Sequence, residues 1–445
     1  MKACDHVFYR NLRKVYPVAD RAEGIYIWDT DGKRYIDGSG GACVVSIGHC
    51  VPEILEAMQT QFKRVPFVHS SHFTNPAACE LGDLLHQMAP DPSLTHTYFL
   101  SGGSEAVESA VKLVRQYWRE AGHPDKYKVI SRWSSFHGNT TGALALGGHT
   151  ARRSHYMPIF QHTPHIEPAY CYRCGFKAIP ETCDLQCADE LERCIKHEGP
   201  ESVAAFIAEP VVGATAGAVV PKDGYWQRIR AICDAYNIKL IADEVMTGIG
   251  RCGRNFGIET WAVVPDLIVM AKGLSSGYTP LGAVMVKEDI HAAIRDGSGI
   301  FVHGHTYGQN PLSTAIGAAV LRFIQKNALV ARSRTMGAYL LDKLAALSAL
   351  DIVGDIRGLG LFAGIELVRD NAGRAWFDRD LKVNIQVANQ AFDRGLITYP
   401  GNGGVDGIHG DHILLAPPFT INKDQIDAMV DILQDAIHTV QSRLP

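Results

Sequence analysis

From about residue 97 to residue 286 the chain repeats one pattern: a short apolar run, a polar or glycine-bearing turn, then a stretch with helical spacing. The apolar runs are Tyr98-Phe99-Leu100, 128–132, 203–208, 238–243, 266–271 and 283–286, and amphipathic stretches such as Glu105–Trp118 and 223–236 separate several of them. Within 105–118, Val107, Ala110, Val111 and Val114 share one face. Strand and helix alternating in this way predict an α/β fold on a doubly wound, mostly parallel sheet. Sheets of that kind bind ligands at the carboxyl edge of their strands. The residues that end each run therefore carry the functional information.

The flanks differ. Residues 24–38 read as a hairpin turning at Thr30-Asp31-Gly32, followed by the loop Gly38-Ser39-Gly40-Gly41. Helices are expected over 52–62, from Pro52, and from Pro76 to about residue 88. Residues 311–327 and 328–349 read as helices. Beyond them come strand Leu361–Leu367, helix 381–394, strands Leu396–Tyr399 and His412–Leu415, and helix 422–441. This is an α+β order, so a domain boundary is placed near 330; 445 residues exceed one ordinary domain in any case. A net charge of −4 without a Lys/Arg block argues against nucleic acid as a partner. No apolar run is long enough to span a bilayer, and Met1-Lys2-Ala3-Cys4-Asp5-His6 has no signal-peptide pattern. Eleven cysteines then point to a cytoplasmic protein with reduced thiols or metal ligands.

Lys272 closes the run Asp266-Leu267-Ile268-Val269-Met270-Ala271. A lysine at the end of a buried strand is costly unless it snorkels to solvent or forms a Schiff base with an aldehyde. Gly102-Gly103-Ser104 stands between strand and helix, which suits either a phosphate at a helix N-terminus or a tight turn capped by Ser104. Asp243-Glu244 ends another run. A buried carboxylate there could keep a pyridine nitrogen protonated, hold a divalent metal or cap a helix. No G-x-x-x-x-G-K-[ST] is present. Phe136, in Phe136-His137-Gly138, could stack on a flat cofactor or sit in the core. Glu209 adds a polar group at the same edge, and Thr306 could cap a helix or reach a phosphate.

Taken in order, these residues resemble the class III (ω-amino acid) aminotransferases, a pyridoxal-phosphate family of fold type I. The likeness runs from Trp28–Gly38 and Gly48-His49 through Ser101–Ala106, Phe136-His137-Gly138, Glu209-Pro210-Val211 and Asp243-Glu244-Val245 to Lys272, Thr306 and Ala416-Pro417-Pro418-Phe419. It implies a large cofactor domain over 71–330 with a mostly parallel seven-stranded sheet. A smaller α+β domain would come from residues 1–70 and 331–445. It also implies that Lys272 carries the cofactor and moves the substrate proton, and that Asp243 pairs with the ring nitrogen. Val245 and Phe136 would cover the two ring faces, Glu209 would support the cofactor's polar edge or the Asp243 network, His137 would be among the cofactor-binding residues, and Gly103 and Ser104 would bind the phosphate. Thr306 would reach in from a second subunit, so a homodimer with shared sites is implied, with pairing into tetramers left open. The implied reaction passes an amino group from a primary amine or ω-amino acid to pyruvate or 2-oxoglutarate by a ping-pong route. An aminomutase, decarboxylase or racemase on the same scaffold, or a non-catalytic regulator, are the alternatives.

Three departures stand out. Phe136 occupies a position that is commonly tyrosine in the family. Cys43 stands where many amine-type members carry tryptophan. The arginine that several relatives place just before the Gly410-Asp411-His412 segment is missing, because Gly407-Ile408-His409 stand there. Arg152, Arg153 and Arg173 are the candidate replacements. Finally, Cys171, Cys174, Cys183 and Cys187 crowd the insert 164–188, which suggests zinc or a four-iron iron–sulfur cluster in a structural role, or else four free thiols.

Overall fold

The computed structural model describes residues 6–444. Its strands are β1 (Ala19–Glu23), β2 (Tyr26–Asp29), β3 (Arg34–Asp37), β4 (Leu94–Leu100), β5 (Lys128–Arg132), β6 (His165–Ile166), β7 (Val203–Ala208), β8 (Lys239–Asp243), β9 (Leu267–Met270), β10 (Gly282–Lys287), β11 (Val353–Gly358), β12 (Ala363–Leu367), β13 (Leu396–Ile397), β14 (Tyr399–Asn402) and β15 (Asp411–Leu415). The central sheet has seven strands in the order β4-β10-β9-β8-β7-β5-β6. β5, β6, β7, β8 and β9 pair in parallel. β10 lies antiparallel to both β9 and β4. β4 therefore runs the same way as the parallel set, and its carboxyl end, at Leu100, opens on the same edge as those of β5, β7, β8 and β9.

β9 shows why the apolar runs are continuous. Ile268 and Met270 pack into one hydrophobic cluster, while Leu267 and Val269 pack into a second cluster on the opposite face. A strand covered on both sides has no polar alternation to display. The second cluster includes Ala106, Val107, Ala110 and Val114 of helix Gly103–Glu120, whose apolar face the sequence indicates.

Two smaller sheets flank this one, in the orders β1-β2-β3-β13 and β11-β12-β15-β14. β13 pairs in parallel with β3, so the chain's two ends share a sheet. The Ser276 hydroxyl, just past Lys272, accepts from the backbone N–H groups of Ser46 (2.8 Å) and Ile47 (3.1 Å), which ties the N-terminal part to the sheet edge.

The expected elements are present to within a few residues, with physical reasons for the differences. Leu396–Tyr399 divides into β13 and β14 of two different sheets. β6 is a two-residue edge strand, too short to show a period. Helix Gln186–Glu198 begins inside the stretch read as the insert and takes Cys187 into its first turn. No helix among the described residues is long and apolar enough to cross a membrane.

Candidate active site

At the carboxyl edge of the central sheet a cavity of about 140 Å³ is lined by Gly103, Ser104, Phe136, His137, Gly138, Glu209, Asp243, Val245, Met246, Ala271 and Lys272. β4, β5, β7, β8 and β9 each deliver one part of this wall. Residues from 103 to 272 thus meet because the strands preceding them are parallel or, for β4, equivalent in direction.

Asp243 ends β8 and is buried. Its Oδ2 lies 2.7 Å from His137 Nδ1, and its Oδ1 accepts the Val245 backbone N–H at 3.1 Å. Both oxygens are thereby held in place. The neighbouring Glu244 turns the other way: its carboxylate accepts from the backbone of Gly257 (2.9 Å) and Ile258 (2.8 Å) and so caps a short 3-10 helix. The paired carboxylates of the sequence therefore divide, one to the cavity and one to the scaffold. Burial pushes both Glu244 and Glu209 up to about 7. For Glu209 the His137 ring opposes that rise and Asp243 adds to it.

Gly103 opens helix Gly103–Glu120, whose first N–H groups and positive dipole end favour an anion. Ser104 Oγ accepts the Asn139 N–H at 3.0 Å, which leaves its own proton free to donate. Gly138 has φ +142°, and a Cβ there would lie 2.6 Å from Ser104 Oγ, so only glycine fits. Lys272 itself sits at φ +45°, in the left-handed region, where the strand breaks into a 3-10 turn. That conformation is costly for a non-glycine residue and is common at functional sites. Its ammonium makes no hydrogen bond or ion pair among the described residues. Two further polar atoms of residues on this wall, His137 Nε2 and Glu209 Oε2, are buried without a hydrogen-bond partner. Buried polar groups are nearly always satisfied, so a polar ligand fits here.

A second, wider cavity of about 830 Å³ shares Phe136 and Lys272 with the first and extends to Arg10, Ala42, Arg152, His155 and Tyr399, among others. Ala42 lines it, whereas Cys43, the residue singled out in the sequence, is buried. The turn explains the shift: Gly40, Gly41 and Cys43 all have positive φ, so no strand or helix period applies. Burial raises the Cys43 thiol, and Lys272 is close enough to oppose that rise. Arg153 does not face this space; its guanidinium donates to the Gly147 carbonyl and lies 5.3 Å from the Trp133 ring centre. Thr306 is exposed and lines neither cavity. Sequence reasoning missed Arg10, His155 and Met246, none of which ends a strand or sits in a glycine turn, and Ala42, which the Gly40-Gly41 turn carries into the cavity.

The ten described cysteines are free. Cys187 is pushed up to about 12, by burial first and then by Cys183, Cys171 and Cys174, so the four thiols of the insert do converge. They do not close into a ligand set. Among the described residues, the one group of three or more such side chains with ligand atoms all within 4.8 Å is His96, Glu288 and His291. Its two imidazoles stack at 3.5 Å with 9° between planes.

The class-III aminotransferase family matches residues 8–437. The chain is 39% identical to an uncharacterized aminotransferase, YodT, of Bacillus subtilis (strain 168), over 97% of each chain. It is 34% identical to the putrescine–pyruvate aminotransferase of Pseudomonas aeruginosa, over 94% of this chain and 90% of that one. A thermostable (S)-enantioselective omega-transaminase from Thermomicrobium roseum superposes with a TM-score of 0.91 at 36% identity, covering 98% of this chain and 96% of the other. Likeness of this extent, over a cavity built for a flat anionic ligand beside a lysine, settles the family: the chain belongs to the class III aminotransferases, pyridoxal-phosphate-dependent transaminases of fold type I.

Proposed function

We propose that this transaminase moves an amino group from a primary amine or ω-amino acid to a 2-oxo acid, pyruvate or 2-oxoglutarate, with the 140 Å³ cavity as its cofactor site. The observation that carries this reading is the meeting of Lys272, Asp243 and the Gly103-Ser104 helix start on one wall. When bound there, pyridoxal phosphate supplies a ring that accepts the electron pair left when the substrate carbon loses its proton. Gly103 and Ser104 would hold the phosphate. Asp243, fixed by His137 and the Val245 N–H, would be the carboxyl group that faces the ring nitrogen. Val245 and Phe136 would confine the ring, and Glu209 would support its polar edge. Lys272 Nζ would be the group that takes up the proton lost by the substrate carbon and holds it for return. Replacing Asp243 by Asn tests the arrangement: cofactor affinity and turnover should both fall, and unchanged values would exclude the ring-nitrogen role.

The exposed position of Thr306 supports a homodimer in which this residue completes the phosphate site of the partner subunit. Sedimentation of the loaded protein as a monomer would contradict it. The shared β3–β13 sheet supports residues 1–70 and 331–445 acting as one small domain beside 71–330. For the insert, the convergence of Cys171, Cys174, Cys183 and Cys187 supports a structural zinc ion or four-iron cluster. The thiols would close up on binding, since zinc holds four sulfurs roughly 3.8 Å apart. Fully active protein, purified without oxygen and free of both metals, would exclude this.

A further inference from the structure

The cavity that leads to Lys272 has a positive wall. Arg10 and Arg152 line it with Lys272, and no aspartate or glutamate does. Of the three arginines that could replace the missing one before Gly410, two are committed elsewhere. Arg153 is buried, donates to the Gly147 carbonyl, lies 2.7 Å from His165 Nε2 and faces the Trp133 and Phe160 rings. The Arg173 Nε donates to Glu366 at 2.8 Å, and its Nη1 donates to the Arg374 carbonyl. Arg152 is different. Its guanidinium rests over the Phe136 ring, 4.6 Å from the centre, and makes no side-chain hydrogen bond or ion pair among the described residues. Stacking orients the planar fork while leaving its N–H groups to a ligand.

Position along the cavity tells which part of a ligand Arg152 meets. Phe136 and Lys272 line both the inner and the outer space, whereas Arg152 lines the outer space alone. It therefore addresses the far end of a substrate whose amine or ketone lies at Lys272. A carboxylate at that far end would take paired, charge-assisted hydrogen bonds from the fork. A second ammonium there would meet like charge and find no carboxylate.

We propose that Arg152, with Arg10 lining the same cavity, is the anchor for a substrate carboxylate remote from the reacting carbon. The enzyme then prefers ω-amino acids and dicarboxylic 2-oxo acids to diamines. This specificity rests on the transaminase reading above, and glutarate separates the two. Glutarate carries both carboxylates of 2-oxoglutarate but no group that can react, so its binding to the loaded enzyme needs no turnover.

Wild-type enzyme should bind glutarate, and Arg152→Met should weaken that binding about 10- to 100-fold, the usual worth of hydrogen bonds to a charged group. The KM for 2-oxoglutarate, divided by that for a monoamine without a carboxylate, should rise by a similar factor. Arg152→Glu should shift preference towards butane-1,4-diamine. Glutarate affinity and KM ratio unchanged in Arg152→Met, or a wild-type preference for the diamine, would overturn the anchor. Glutarate binding that depends on Arg152 in a protein that turns over no amine would support the anchor and overturn the transaminase reading.

Discussion

The two cavities at Lys272 are built in opposite ways. In the inner one the groups that surround Lys272 are fixed by contacts of their own. Both Asp243 oxygens are bonded, Ser104 Oγ is fixed by the Asn139 N–H, and Gly138 sits where no side chain fits. In the outer one the charged groups are left open: Arg152 rests over the Phe136 ring with no side-chain hydrogen bond or ion pair among the described residues, and Arg10 is exposed. Rigid placement suits chemistry, which loses rate steeply with small displacements. Side chains free to turn suit the choice between substrates of different length and charge. Inner substitutions should therefore act on turnover, and outer ones on the ranking of substrates.

The largest effect belongs to Lys272→Ala. Turnover should fall by several orders of magnitude, roughly 10⁴-fold or more, if the residue is both the point of attachment and the base, as proposed. Steady-state assay with any accepted amine reads this, and near-normal turnover would break the distinction. Asp243→Asn keeps the shape and removes the charge; a loss of about 10²- to 10³-fold in turnover is expected, as for other fixed electrostatic groups. Arg152→Met comes next, with its effect in the KM ratio.

Glu209→Gln should act on stability. The folded-state value of about 7 lies above the ordinary carboxyl value of 4.5, because of burial. Between those values the folded state keeps a proton that the unfolded state has lost, so stability falls as pH rises through that window. Removing this carboxyl should flatten the fall between pH 5 and pH 8 by on the order of 3 kcal/mol in cofactor-free protein, measured by urea unfolding. Glu244 shifts with the same sign and keeps part of the slope. An unaltered slope would show that Glu209 is not the buried acid described. The smallest effect is that of Thr306→Ala, a few-fold loss of cofactor affinity by equilibrium titration, as one hydrogen bond implies.

The same contrast governs what the sequence discloses. Lys272, Asp243 and Gly103-Ser104 are legible because each ends a strand, and strand direction then brings them together. The fates of Glu244 and Asp243 are not separable by sequence, since Glu244 is claimed by backbone groups of Gly257 and Ile258 that come later in the chain. Arg173 is indistinguishable from Arg152 until its partner Glu366, 193 residues away, is placed. Cys43 is taken for a lining residue because a turn of positive-φ residues hides that Ala42 faces the cavity. Distant partners and irregular turns are where local pattern carries no information.

One experiment addresses the inner cavity directly. Protein loaded with pyridoxal phosphate is mixed with a primary amine and no oxo acid, and product is counted per site in a single turnover. The structure predicts about one carbonyl product for each site, with pyridoxamine phosphate left on the protein, and none from Lys272→Ala. Release of carbon dioxide, or return of an isomerised or racemised amine with no carbonyl product, would contradict it.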